Sequence, residues 1–145
     1  MTDEDRKSVV LEYLKGLDNG GTTPSGRALL DLFAPGAQVY FPKWGVAKGK
    51  EQIGKLFGEV GSTLRSITHH YSELNWVLSG DRVVCEGTSH GEHIDGRWRA
   101  GDPDWGAGRW CDVFEIRDGL IQRCFIYLDP DYAGQDTARY PWIKR

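Results

Sequence analysis

The chain has little of what would tie it to a membrane, a nucleic acid or a disulfide scaffold. It contains no apolar run near the roughly 20 residues that span a bilayer, and MTDEDRKSVV at its start is acidic where a signal peptide is basic and then apolar. The formal net charge is −3 and no Lys/Arg cluster stands out, so the basic footprint of nucleic-acid binding is missing. Cysteine is limited to Cys85, Cys111 and Cys124. An odd count without a CxxC pair argues against a disulfide framework or a zinc site, and for small buried hydrophobes in a reducing compartment. Nor is there a phosphate loop, a nucleophile elbow, a Rossmann fingerprint or a triad-like arrangement, so a covalent mechanism has no support. The expectation is a cytoplasmic protein that meets small molecules or other proteins, and neither nucleic acid nor membrane.

What is present in quantity is glycine and tryptophan, 19 and 6 of the 145 residues. The length suits one domain over residues 1–145 that buries roughly 70% of the unfolded chain's surface. The most legible stretch is GRWCDVFEIRDGLIQRCFIYLD. It reads as strands over 109–116 and 120–128 joined by an Asp-Gly turn. On the first strand Trp110, Asp112, Phe114 and Ile116 share a face, so Asp112 is a carboxylate among large apolar neighbours. On the second, Cys124, Ile126 and Leu128 alternate with Phe125 and Tyr127, the pattern of a strand covered on both sides.

Ahead of the hairpin, residues 3–17 have helical apolar spacing and an acidic first turn, with a stop at Asp18-Asn19-Gly20-Gly21. Ser25 then stands as the cap of a second helix, GRALLDLFA, ending before Pro35-Gly36. A short strand over 38–42, a turn at Lys43-Trp44-Gly45 and a third helix from about Gly49 follow. Residues 66–78 and 82–94 read as strands, and 95–108 as a long connection of the kind that forms lids or binding loops. In the tail, 130–145, Tyr140 and Trp142 are expected to dock on the body. The residues therefore divide into a helical part with one short strand (1–65), a sheet (66–129) and a docked tail, an α+β arrangement with helices on one side of a curved, mainly antiparallel sheet.

The segments LFAPGAQVYFP, GKEQIGKLF, THHYSELNWVLSGDRV, EGTSHGE and WCDVFEIRDGLIQRCFIYLD, in that order and spacing, resemble the nuclear-transport-factor-2-like superfamily and, within it, the SnoaL-like group. The resemblance implies a cone-like α+β barrel of three N-terminal helices on the curved sheet, a pocket at the wide end and a homodimer through the sheet's outer face. Relatives range over ketosteroid isomerase, limonene epoxide hydrolase, scytalone dehydratase, polyketide cyclases and non-catalytic binders, so fold does not settle function. By resemblance Asp112 falls where ketosteroid isomerase keeps a protonated aspartic acid. That enzyme's base falls at Phe41, and the epoxide hydrolase carboxylate near Ile126, neither of which takes a proton. Other relatives use pocket histidines and tyrosines, here drawn from His69, His70, His90, His93, Tyr40 and Tyr71.

Since His69 and His70 are adjacent, at most one enters a pocket; the family pattern favours His70. For residues 82–94 two assignments stay open: Val83, Cys85, Gly87 and Ser89 inward, or Val84, Glu86, Thr88, His90 and Glu92 inward, with His90 slightly preferred inside. His90-x-x-His93 puts its two rings on opposite faces, so no metal site is expected. The candidate catalytic set is Asp112 and His70, a carboxyl and an imidazole suited to proton transfer, with Tyr40 as a donor to a developing anion. Phe41, Trp44, His90, Trp110, Phe114 and Ile126 are the candidate binding residues, and Arg123, Phe125 and Tyr127 the candidate dimer contacts. The reading is a binder of a small, mostly apolar, cyclic or aromatic molecule, performing acid–base chemistry of the isomerase, cyclase or dehydratase type without a cofactor. The alternatives are a non-catalytic binding module and a structural subunit of an oxygenase.

Overall fold

The computed structural model describes residues 1–102, 108–136 and 139–140. Helix α1 spans Asp3–Asp18 and begins on a reciprocal cap, in which Thr2 Oγ1 accepts from Asp5 N–H and Asp5 Oδ2 accepts from Thr2 N–H. Its apolar stripe of Val10, Tyr13 and Leu14 is fully buried. The expected second helix is replaced by a single 3-10 turn, Leu29–Leu32. Its would-be first turn has spent its hydrogen-bonding groups elsewhere: Thr23 N–H donates to Arg27 O, Leu29 N–H to Gly21 O, and Thr22 bridges Ala28. Ser25 does not cap, because its hydroxyl bonds Glu12 and Thr23.

Strand β1 (Phe33–Phe41) starts earlier than expected and runs through Pro35-Gly36 by means of a register shift between Phe33 and Gln38. A tight turn, with Lys43 and Gly45 at φ 73° and 88°, leads to β2 (Gly45–Lys48) and then α2 (Gly49–Ser62), which buries Ile53, Leu56 and Val60. The expected strand over 66–78 is two strands, β3 (Leu64–His69) and β4 (Asn75–Ser79), separated by a 3-10 turn at Tyr71–Glu73. After β4 come β5 (Arg82–His93), the short β6 (Gly96–Arg97), β7 (Gly108–Arg117) and β8 (Leu120–Leu128).

The eight strands form one sheet in the order β2-β1-β8-β7-β5-β3, with β4 and β6 also paired to β5. Only β1 with β8 is parallel. The sheet curls into a half-barrel and the two α-helices lie in its concavity. Phe33, Val83, Phe114, Ile116, Ile121 and Cys124, each without exposed surface, belong there to one buried apolar cluster with Val10, Tyr13 and Leu14 of α1. Beyond β8 the chain anchors itself through Tyr132, which stacks on the buried Trp98 at 4.3 Å and 21°. Tyr140, by contrast, is 59% exposed and does not dock as expected; Trp142 lies outside the described residues, as do 103–107 of the connection before β7.

Candidate functional site

The β7–β8 hairpin forms as its sequence implies, with Asp118 and Gly119 at φ 54° and 75° in the turn. Alternation sends Trp110, Asp112, Phe114 and Ile116 inward, all of them buried. Asp112 is 3% exposed and its Oδ1 has no hydrogen-bond partner. Around it stand Tyr13, Cys85, Cys111, Cys124 and Tyr132, groups whose ionised forms are negative, and each is raised first by burial and further by the nearby carboxylate. Burial drives the Asp112 carboxyl well above the usual range, and no cation among the described residues offsets it. That shift favours the neutral form, which is able to donate.

Asp112 lines a cavity of about 670 Å³ enclosed by α1, α2 and the inner face of the sheet. Of the candidate binding residues, Trp110, Phe41 and Ile126 lie in its lining; Phe114 does not, standing behind Tyr13 in an edge-on contact of 5.4 Å. One more buried polar atom of the lining, Trp110 Nε1, also lacks a partner, while Tyr13 Oη has the Cys124 thiol beside it. Arg65, largely exposed, stands in the lining 3.9 Å from Glu92.

The histidine in this cavity is His69, not His70. A strand places neighbours on opposite faces, and the register shift between Leu64 and Ser66 sets β3 so that its last residue, His69, turns inward at 7% exposure. Its partner is Asp18, the final residue of α1. Asp18 Oδ1 lies 2.5 Å from His69 Nδ1, while Oδ2 accepts from His69 N–H at 3.0 Å and Tyr71 Oη–H at 2.5 Å. Burial pushes the Asp18 carboxyl up, but the hydrogen bonds and charge interaction with His69, with help from Tyr71, outweigh it and hold the group below its usual value. An ionised Asp18 only accepts, which makes His69 Nδ1 the donor, so that in the uncharged ring Nε2 is the acceptor. The imidazole meets Trp110 edge-on at 5.3 Å.

His70 is turned outward. Its Nδ1 lies 2.8 Å from Thr88 Oγ1 and its Nε2 2.7 Å from His90 Nδ1, with the two imidazoles stacked. His90 is therefore outside as well, because on β5 it is Val83, Cys85, Gly87 and Ser89 that face the concavity, opposite the inward residues of β7. Tyr40 falls between the inward Val39 and Phe41 and packs outside with Phe125 and Tyr127, at 5.7 Å from each. Trp44 leans edge-on against Phe41 at 5.5 Å and gives its indole N–H to Glu59, outside the cavity lining. Among the described residues no group of three or more His, Cys, Asp or Glu is placed to hold a metal ion. Sequence reasoning missed Asp18, Tyr13 and Tyr132 as cavity residues and set His69 aside in favour of His70. Asp18 carried a signal: a carboxylate closing a helix opposes the macrodipole and needs donors from elsewhere.

The SnoaL-like domain profile matches residues 10–124. The chain belongs to the SnoaL-like domain family. No curated protein matches it. This SnoaL-like domain is similar to an NTF2-like protein from Anabaena variabilis ATCC 29413, at 20% identity and TM-score 0.69, covering 92% of this chain and 97% of that one. It is also similar to TerC co-crystallised with polyporic acid, at 18% identity and TM-score 0.66, covering 86% and 92%. A third similar structure is a putative polyketide cyclase from Sinorhizobium meliloti, at 18% identity and TM-score 0.62, covering 88% and 100%. At such identities the likeness is one of fold.

Proposed function

We propose that this SnoaL-like protein binds a small, mostly apolar cyclic molecule in the cavity and moves a proton on it, as an isomerase, cyclase or dehydratase does. The observation that carries the reading is the meeting, in one apolar cavity, of an unpartnered carboxyl at Asp112 and an imidazole at His69 held by Asp18. The two differ in the way acid–base catalysis requires: one environment keeps a carboxyl neutral, the other keeps a carboxylate charged. In the mechanism His69 Nε2 takes a proton from the ligand, and Asp18, accepting from Nδ1–H, stabilises the imidazolium that forms. Asp112 donates to the carbonyl or hydroxyl oxygen on which negative charge develops. Transfers of this kind between carbon and oxygen need no redox cofactor. Asp112 thus keeps the role expected of it, while the roles expected of His70 and Tyr40 pass to His69 and to the donors inside the cavity.

Native mass spectrometry of the purified protein identifies a co-purifying ligand, and turnover of that compound by variants tests the roles. His69→Ala is expected to lose about 10²–10⁴-fold in kcat. Asp112→Leu is expected to lose about 10²–10³-fold, and Asp112→Asn, which retains a donor, to recover part of it. Parent-like rates from folded His69→Ala and Asp112→Leu proteins would sink the mechanism. Recovery of the ligand unchanged by the parent protein would favour a binding module, a reading that Phe41 supports by standing where a relative's base falls.

Two further expectations belong to this reading. The outward aromatic face of Tyr40, Phe125 and Tyr127 is the surface for a second copy of the chain. Three unpaired cysteines, Cys85, Cys111 and Cys124, suit the cytoplasm; no helix of the described residues is long and apolar enough to cross a membrane.

A further inference from the structure

Helix α2 carries three glycines inside its span, Gly54, Gly58 and Gly61, at positions that share one side of a helix. All three line the cavity. Glycine in a helix interior is less favourable than alanine, so each needs a reason. For Gly54 the reason is packing, because a Cβ there would meet Leu30 Cδ1 at 3.1 Å. Gly58 and Gly61 have none of this kind: both have ordinary helical backbone, and a Cβ on either would find nothing within 4 Å. Among the described glycines only Gly36 shares that condition, and Gly36 sits at the register shift of β1, where glycine has a place.

Gly58 and Gly61 both line the cavity and are also exposed, so the open space beside them lies where the cavity meets solvent. Gly20 and Gly21, at the end of α1, line the same cavity. Bare backbone thus borders the cavity from two elements. Inside the same cavity, Asp112, 3% exposed, has an oxygen without a partner, and Trp110, 6% exposed, has an indole N–H without one. The glycines therefore open onto a space that already holds unanswered polar groups.

We propose that Gly58 and Gly61 determine specificity: they keep one wall of the entrance free of side chains so that a flat ligand of three or more fused rings passes and rests against α2, its oxygen-bearing end toward Asp112 and Trp110. The proposal rests on the cavity being a small-molecule site. A single ring needs no such slot, whereas a rigid sheet of rings cannot bend around a side chain in its path. The cavity, at about 670 Å³, is within the range that takes drug-sized ligands.

The test uses 1-naphthol and 1-hydroxyanthraquinone as two-ring and three-ring probes, followed by quenching of tryptophan fluorescence in the full chain. The parent is expected to bind both. Gly58→Leu and Gly61→Leu are expected to weaken the three-ring probe at least tenfold and to leave 1-naphthol within about twofold. Gly58→Ala and Gly61→Ala guard against a folding artefact: each is expected to raise Tm, by about 3 °C, while still weakening the three-ring probe more than 1-naphthol. Equal effects on the two probes, or none on either, would overturn the specificity role and leave the site standing. Failure of the parent to bind either probe would overturn the site reading and this inference with it.

Discussion

Asp112 is fully buried and Asp18 only half-buried, and their electrostatics are opposite because they differ in donors as well as in enclosure. Asp18 accepts three hydrogen bonds from His69 and Tyr71, whereas Asp112 Oδ1 accepts none. The consequence for stability has a definite sign. Burial raises the Asp112 pKa in the folded state above its ordinary 3.8, so between the two values the folded chain binds the extra proton. Stability from this group is complete below the unfolded pKa and is lost as pH rises toward the folded one, with a slope of at most about 1.4 kcal/mol per pH unit. Asp112→Asn removes the titration but keeps the shape. In urea unfolding, the stability of Asp112→Asn relative to the parent is expected to increase from about pH 5 to pH 8; a constant difference across that range would mean that Asp112 ionises in the fold without penalty. In activity the same titration appears as an alkaline limb that Asp112→Asn lacks.

At the scale of elements, positions where backbones nearly touch are the ones that admit no side chain. A Cβ on Gly91 of β5 would lie 2.1 Å from the carbonyl oxygen of Ser66 on β3 and 3.1 Å from Trp98 Cε2. The first obstacle is backbone and cannot rotate away. Gly91→Ala is therefore expected to destabilise the protein by more than the ~1–3 kcal/mol usual for overpacking, seen as a lower urea midpoint, and a parent-like midpoint would show that β3 can move without cost. Elements of this kind were unevenly legible in the sequence. The β7–β8 hairpin was, because an Asp-Gly turn and strict alternation specify both register and facing, and so was the inward Asp112. The second helix was not: GRALLDLFA has helical apolar spacing, but its hydrogen bonds are claimed by Gly21 and by the Thr23–Arg27 turn. The choice between His69 and His70 depends on a one-residue register shift at Leu64–Ser66, which flips every later side chain and leaves no mark in composition. On β5 both alternating sets mix small, polar and apolar residues, so facing waits on the pairing with β7. Asp18 joined the site through a contact 51 residues away in the chain, beyond what local pattern encodes.

For the whole molecule, the curl of the sheet separates two chemistries: an enclosed concave face that holds the cavity, and a convex face with large apolar groups in solvent. On the convex side Tyr40 packs against Phe125 and Tyr127, Tyr127 is 48% exposed, and the Arg123 guanidinium lies 3.8 Å over the Phe125 ring. Aromatics and arginine together are what interface centres are enriched in, and apolar groups gathered on one face mark association sites more often than scattered ones do. A strand such as β8, apolar on both faces, has its inner side covered by the helices; a second copy of the chain would cover the outer one in a two-fold arrangement that places the same patch on both sides. Sedimentation equilibrium is expected to return twice the 16.3 kDa of one chain. Tyr127→Glu places a charge in the middle of the patch and is expected to shift the mass toward that of one chain, with the cavity and its tryptophan fluorescence unchanged. A parent protein that sediments as one chain at tens of micromolar would assign the convex aromatics to the surface of a monomer, and a dimer indifferent to Tyr127→Glu would move the interface to another face.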